Sequence, residues 1–296
     1  MRKEKFSIYK VVILFLPFMI IFTALYAVAE GLYKSRKLAS VGYDAVTNDT
    51  RYFKIFRHRN SSYTHSLEAD IDNFVEIFFN EYEKPFSLTR TDEPILITLL
   101  KDDAEFQQYA SKELRQDLTF NGGFYNSIKS DIALIMTNPV ADKKGLFHEI
   151  THAVLDRSAP KAMWSPWLSE GLATYFEESS IASRENYKFG GKKAEYFAFV
   201  KDALTRQNGN FLPLKNIIKS QQEQFTSETN TIYYAEAHTL VYFLLEGAGR
   251  KYRNSFSKYF LEEKKQGECP PNVFEIEIGN IDEIEKEWIK FILTGE

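Results

Sequence analysis

The feature that most constrains this chain is His148-Glu149-Ile150-Thr151-His152, set within the helical-looking stretch GLFHEITHAVLD. On an α-helix, positions i and i+4 leave the same face about one turn apart, so both imidazoles can reach one ion with Glu149 beside them. A pair of neutral imidazoles suits Zn²⁺, which then wants a third protein ligand and one open position. The chain holds one cysteine, Cys269, so it forms no intrachain disulfide and no Cys-based zinc or iron–sulfur site. Any metal must be held by histidines and carboxylates.

The third ligand decides the class of site. A metzincin would place Gly three residues and His six residues after the second histidine. Leu155 and Ser158 stand there instead, which excludes that class. The next candidate is Glu170 in SPWLSEGLATYFEE, where Ser165 can cap a helix and Pro166 suits its first turn. Residues 153–169 are enough to end one helix, cross a loop and bring a second alongside, and Gly171 lets those two helices approach closely. Glu177 and Glu178 are the fallback carboxylates on the same helix. Asp156, four residues after His152, either orients an imidazole from behind or pairs with Arg157 or Lys161.

Charge and hydropathy organise the rest. The 296 residues carry 37 Lys+Arg against 41 Asp+Glu, a net charge of −4 that argues against a nucleic-acid binder, and 25 Phe with 17 Tyr argue for a packed core. Arg2, Lys3, Lys5 and Lys10 precede an uncharged apolar run over 11–29, long enough to cross a bilayer as a helix. It reads as a retained signal anchor with a cytoplasmic amino end, or as a signal peptide cleaved after Ala27-Val28-Ala29. Either reading places the remainder outside the cytoplasm, attached to the membrane or secreted. Residues 30–50 read as a linker.

Residues 51–296 read as one unit of α+β class, an α/β part over about 51–140 and a helical part over about 141–296. Strands are expected over 51–58, 94–100, 124–128 and 131–137, with helices over about 63–83 and 103–113 between them. Helices follow over about 142–157, 166–179, 192–206, 231–247, 252–265 and 281–293. DIALIMT, 131–137, alternates and closely precedes the metal helix, so it is expected to be a sheet edge that pairs with an extended peptide. Cys269 precedes Pro270-Pro271 and reads as a free, unused thiol.

HEITHAVLD followed by PWLSEGLATYFE resembles the gluzincin metallopeptidases, most closely the peptidase MA-like group. GGFYNSIKSDIALIM and YAEAHTLVYFLLE resemble the strand region before and the helix after that motif, so the likeness spans about residues 50–290. It implies a small sheet packed on a zincin-type helical bundle, one Zn²⁺ on His148, His152 and Glu170, and Glu149 as the general base. Gluzincins often face the oxyanion with a Tyr or His from a later helix, which here selects Tyr234, with Tyr233 and His238 as alternatives. Some carry an acidic residue where Thr174 stands, which offers only a neutral hydroxyl behind the ligands.

The expected activity is zinc-dependent hydrolysis of peptide bonds in a peptide or protein substrate, with Glu149 taking a proton from water. Two alternatives stay open: a retired peptidase that keeps zinc as a binding or scaffold module, and a hydrolase of a non-peptide amide. Cleavage preference and oligomeric state are not legible in these residues.

Overall fold

The computed structural model describes residues 43–45, 52–58, 66–91, 94–114, 122–127, 129–138, 142–159, 162–206, 209–226 and 230–295. The apolar stretch 11–29 lies outside the described residues, and among those described no helix is long and apolar enough to cross a membrane. The fold is mixed, predominantly helical with a small sheet.

The first half alternates strand and helix: β1 (Tyr43–Ala45), β2 (Phe53–His58), α1 (Ser66–Tyr82), β3 (Ile95–Leu100), α2 (Asp103–Leu114), β4 (Gly123–Asn126) and β5 (Asp131–Ile135). The strands form one sheet in the order β1-β2-β3-β5-β4. β2, β3 and β5 run parallel, while β1 and β4 close the two sides antiparallel. Two expectations change here. The supposed linker over 30–50 contributes β1, whose Tyr43 is buried beside Phe56, Leu100 and Phe106 and donates its hydroxyl to Glu105. And β5 is no edge, because β3 and β4 flank it on both sides. Apolar helices cover both faces of the sheet, so β5 carries a nearly unbroken buried run, Ile132-Ala133-Leu134, instead of a strict alternation.

Among the described residues β4 stands at one end of the strand order and β1 at the other. Ile135 N–H donates to the Gly122 carbonyl at 2.6 Å, and the register pairs Gly123 with Leu134 and Tyr125 with Ile132. Antiparallel pairing alternates between hydrogen-bonded and open pairs, so Gly123 and Tyr125 turn their backbone groups away from β5.

The second half holds α3 (Asp142–Ser158), α4 (Pro166–Phe176), a two-stranded hairpin of β6 (Ser180–Ile181) and β7 (Tyr187–Lys188), and α5 (Ala194–Thr205). Two short helices follow, α6 (Leu214–Ile217) and α7 (Gln222–Thr226), then α8 (Asn230–Glu246), α9 (Arg253–Gln266), α10 (Pro271–Glu277) and α11 (Ile281–Thr294). Aromatic contacts join the halves: Phe74 of α1 stacks on Phe147 of α3 at 4.2 Å, and Phe78 meets Phe176 of α4 at 4.5 Å. Such pairs contribute about 0.5–1.5 kcal/mol each beyond the area they bury. Gly171 does permit a close approach, but to α8: a Cβ there would lie 2.8 Å from the Ala237 carbonyl oxygen and 2.6 Å from Val241. Cys269 is buried, and burial lifts its thiol to about 11, which keeps it unreactive.

Glu236, fully buried on α8, accepts the Leu212 N–H at 2.8 Å on Oε1, while its Oε2 has no hydrogen-bond partner. Burial pushes its carboxyl up to about 9, and the nearby Glu285 carboxylate of α11 adds to the shift. A carboxyl held protonated by the fold contributes stability that is complete below the unfolded value near 4.5 and is lost as pH rises toward 9. Glu236→Gln keeps the acceptor and cannot ionise. Its thermal midpoint is expected to fall less than that of the wild type between about pH 6 and about pH 9. Identical slopes for the two proteins in a calorimetric pH series would remove Glu236 as the titrating group.

Candidate metal centre

His148 and His152 project from one face of α3, as their spacing requires, and α4 brings Glu170 against them. The entry of α4 is fixed from behind. Ser165 is its N-cap residue, yet its hydroxyl makes no capping bond; it donates to Glu263 Oε1 at 2.6 Å, and its N–H donates to Oε2 at 2.9 Å. Tyr259 donates to the same carboxylate at 2.6 Å. Glu263 of α9, fully buried, thus ties down the residue from which α4 starts, and with it the position of Glu170 one turn later.

The three proposed ligands converge. His148 Nε2 and His152 Nε2 lie 3.2 Å apart, and Glu170 Oε2 is 3.3 Å from the first and 3.5 Å from the second. Metal bonds of about 2.0–2.2 Å in a tetrahedron separate neighbouring ligand atoms by about 3.3–3.6 Å, and the sides found, 3.2, 3.3 and 3.5 Å, lie close to that triangle. Glu170 Oε2 is also buried without a hydrogen-bond partner. A carboxylate oxygen withdrawn from water and aimed at two imidazole nitrogens fits a divalent cation, which would satisfy all three atoms. Burial alone would raise the Glu170 carboxyl, but His152 and His148 outweigh it and hold the group well below the usual carboxylate range.

The outer nitrogens of both imidazoles are occupied. His148 Nδ1 lies 2.9 Å from Glu177 Oε2, and His152 Nδ1 lies 3.0 Å from Ser169 Oγ. Partners at Nδ1 fix the tautomer that presents Nε2 to the ion. These two residues do what Asp156 and Thr174 were expected to offer. Asp156 instead accepts the Tyr125 hydroxyl at 2.8 Å, and Thr174 donates to the Glu170 carbonyl at 2.8 Å within its own helix. Glu177 therefore sits behind His148 and not on the ligand side, so it is no substitute for Glu170. Its other oxygen accepts from Lys193 Nζ at 2.5 Å. Burial opposes its ionisation, but His148 and Lys193 keep the Glu177 carboxyl below its ordinary value.

Glu149 lies on the same helix, turned toward the sheet edge. Its carboxylate accepts the Tyr125 N–H, one of the backbone groups that β4 turns outward. Burial, reinforced by the Glu170 charge, raises the Glu149 carboxyl above its ordinary value, against the opposing pull of the two imidazoles and that N–H. A base with a raised pKa both accepts and returns a proton near neutrality more readily.

The three oxyanion candidates on α8 face different polar groups, although the rings of Tyr233 and Tyr234 both contact Phe225. Tyr234 interacts with Glu170 and Glu149, and burial followed by these two carboxylates raises its hydroxyl, so it stays a proton donor. The Tyr233 ring packs on Phe225 with centroids 5.7 Å apart. His238 is fully buried, and its Nε2 accepts the Lys193 N–H at 3.0 Å. Burial lowers it to about 4, so it is neutral and already committed as an acceptor.

Ser169, Lys193 and Glu263 lie behind the ligands without having been assigned from the sequence, and Glu177, expected there only as a fallback ligand, lies behind His148. Ser169 adjoins the proposed ligand and Glu177 falls two turns beyond it, which was the available signal for both. No curated protein matches the chain. Residues 146–265, which run from α3 into α9 and contain the ligand triangle, the groups behind it and Tyr234, are similar to the family described as "Protein of unknown function (DUF1570)".

Proposed function

We propose that this chain is a zinc-dependent peptidase of gluzincin type that acts outside the cytoplasm, anchored by or released from its apolar amino-terminal stretch. The observation that carries the reading is the buried, unpartnered Glu170 Oε2 within 3.5 Å of both Nε2 atoms of an HExxH helix. Zinc on His148, His152 and Glu170 would supply Lewis-acid polarisation of a carbonyl and acidification of a bound water. Glu149 takes the proton of the attacking water and passes it to the leaving amine. Tyr234, protonated and facing the same carboxylates, donates a hydrogen bond to the carbonyl oxygen as charge develops there.

The outer edge of β4 supplies the seat for an extended peptide. With the Tyr125 N–H held by Glu149, the outward carbonyl of Tyr125 and the outward N–H and carbonyl of Gly123 remain to pair with a substrate main chain. A Cβ at Gly123 would come 2.4 Å from Leu134 Cδ1, so a larger residue there would displace the end of the Leu134 side chain.

The test is metal content and cleavage of a mixed peptide library by the full chain, held in detergent on account of its apolar stretch. One zinc per chain with chelator-sensitive cleavage is the expected result. Zinc without cleavage of any peptide would move the assignment to a scaffold, and absence of zinc binding would remove the metallopeptidase reading altogether.

A further inference from the structure

We propose that Lys193 is a positioning residue for the metal, acting through Glu177 on His148, with His238 as its anchor. The inference rests on the zinc reading of the site. The physical problem is Glu177. It caps the carboxyl end of α4, where the helix macrodipole is negative, and it is 7% exposed. A carboxylate there is opposed by both its burial and the dipole. An uncompensated one would turn away from His148 Nδ1.

Lys193 provides the compensation. Its Nζ is 2.5 Å from Glu177 Oε1 and 4.2 Å from the centroid of the Tyr196 ring, so the ammonium is held on two sides. The chain that delivers it is shaped for the purpose. Gly190 has φ +72°, and a Cβ there would strike the Tyr175 ring at 2.1 Å. At Gly191 a Cβ would come 3.0 Å from the Glu178 carbonyl oxygen, and its N–H bonds the Tyr175 carbonyl at 3.0 Å. The segment therefore passes tightly over the end of α4 and returns Lys193 to Glu177. There the Lys193 N–H meets His238 Nε2, which projects from the centre of α8.

The result is a relay across four elements, from His238 on α8 to Lys193 before α5, to Glu177 at the end of α4, to His148 on α3. Each link is a contact of 3.0 Å or less. With Nδ1 directed to Glu177, the His148 ring is turned so that Nε2 faces the ligand side.

The experiment measures the zinc dissociation constant of the full chain in detergent by chelator competition. Lys193→Met, close in length and uncharged, is expected to bind zinc about 10–100-fold more weakly, and Glu177→Gln to do the same. Lys193→Arg keeps the charge and should recover most of the affinity. The double variant Lys193→Met/Glu177→Gln should bind no more weakly than Glu177→Gln alone, because the lysine acts only through that carboxylate. A general loss of folding would be neither rescued by Arg nor capped in this way. Wild-type affinity in Lys193→Met, or additive losses in the double variant, would overturn the proposal while the zinc site stands. A wild-type chain that binds no zinc would remove the metal reading as well. If Lys193→Met does not fold, Lys193→Gln carries the same comparison.

Discussion

Glu149→Gln is expected to lower peptide cleavage by about 10²–10⁴-fold, the usual contribution of a positioned general base, with zinc stoichiometry and thermal midpoint unchanged. The separation of these readouts follows from where the side chain sits. Glu149 is not one of the three converging ligand groups, so its neutral isostere leaves their triangle intact. Its carboxylate accepts the Tyr125 N–H from β4, and a glutamine carbonyl oxygen can accept the same bond. The strand therefore stays docked. Only the capacity to accept a proton is lost. Tyr234→Phe, which deletes one donor to the oxyanion worth about 2.7–4 kcal/mol, should cost less, since Glu149 and the ligands remain. Turnover of Glu149→Gln within tenfold of wild type would show that the base is another group.

Most long helices were legible because their apolar positions recur at three and four residues and their ends carry Pro, Gly or Asn. α11 illustrates this: Asn280 caps it by accepting the Glu283 N–H at 3.2 Å, and Gly295 ends it in the left-handed conformation. The strands divided differently. β1 has three residues and no periodic signal; only its partner across the sheet makes it a strand. β6 and β7 have two residues each in a polar stretch, and are held by bonds such as Tyr187 to Glu81 at 2.7 Å that join positions far apart in sequence. β5 was read as an edge from its alternation, although the consecutive apolar run Ile132–Ile135 is the signature of a strand covered on both faces.

At the site, the same local logic reached some residues and not others. His148, Glu149 and His152 share one helix, so their period was enough to place them together. Glu170 required a second helix of the right start and length, which Ser165-Pro166 announced. The groups behind the ligands depend on long-range packing. Lys193 reaches Glu177 only because a hairpin and two glycines turn the chain back, and Glu263 holds Ser165 from a helix about a hundred residues later. His238 was considered for its chemistry toward substrate, on the reasonable ground that it shares a helical face with Tyr234. Burial gave it an acceptor's role instead, which no residue pattern along α8 could announce.

Glu170→Ala is expected to abolish high-affinity zinc binding, and the physical reason extends to the stability of the metal-depleted protein. The variant leaves two imidazoles without a third group to take the ion. Glu177 cannot replace it, since it is bound to the far nitrogen of His148 and to Lys193. At the same time, the substitution breaks a buried pairing: the imidazoles hold the Glu170 carboxyl well below its ordinary range, so its charge is a net stabiliser of the metal-depleted fold near neutral pH. The variant's thermal midpoint without metal should therefore fall below that of the metal-depleted wild type. Added zinc widens the gap. A ligand that binds only the folded state at a hundred times its dissociation constant stabilises it by about 2.7 kcal/mol, so the wild-type midpoint rises while that of Glu170→Ala does not. His148→Ala and His152→Ala should behave alike toward zinc. A Glu170→Ala protein that retains stoichiometric zinc at wild-type affinity, with the same rise in midpoint, would show that the third ligand lies elsewhere. Glu170→Gln then distinguishes charge from shape: its amide oxygen can occupy the same corner of the triangle but carries no negative charge, so affinity intermediate between wild type and alanine identifies the carboxylate charge as the source of the difference.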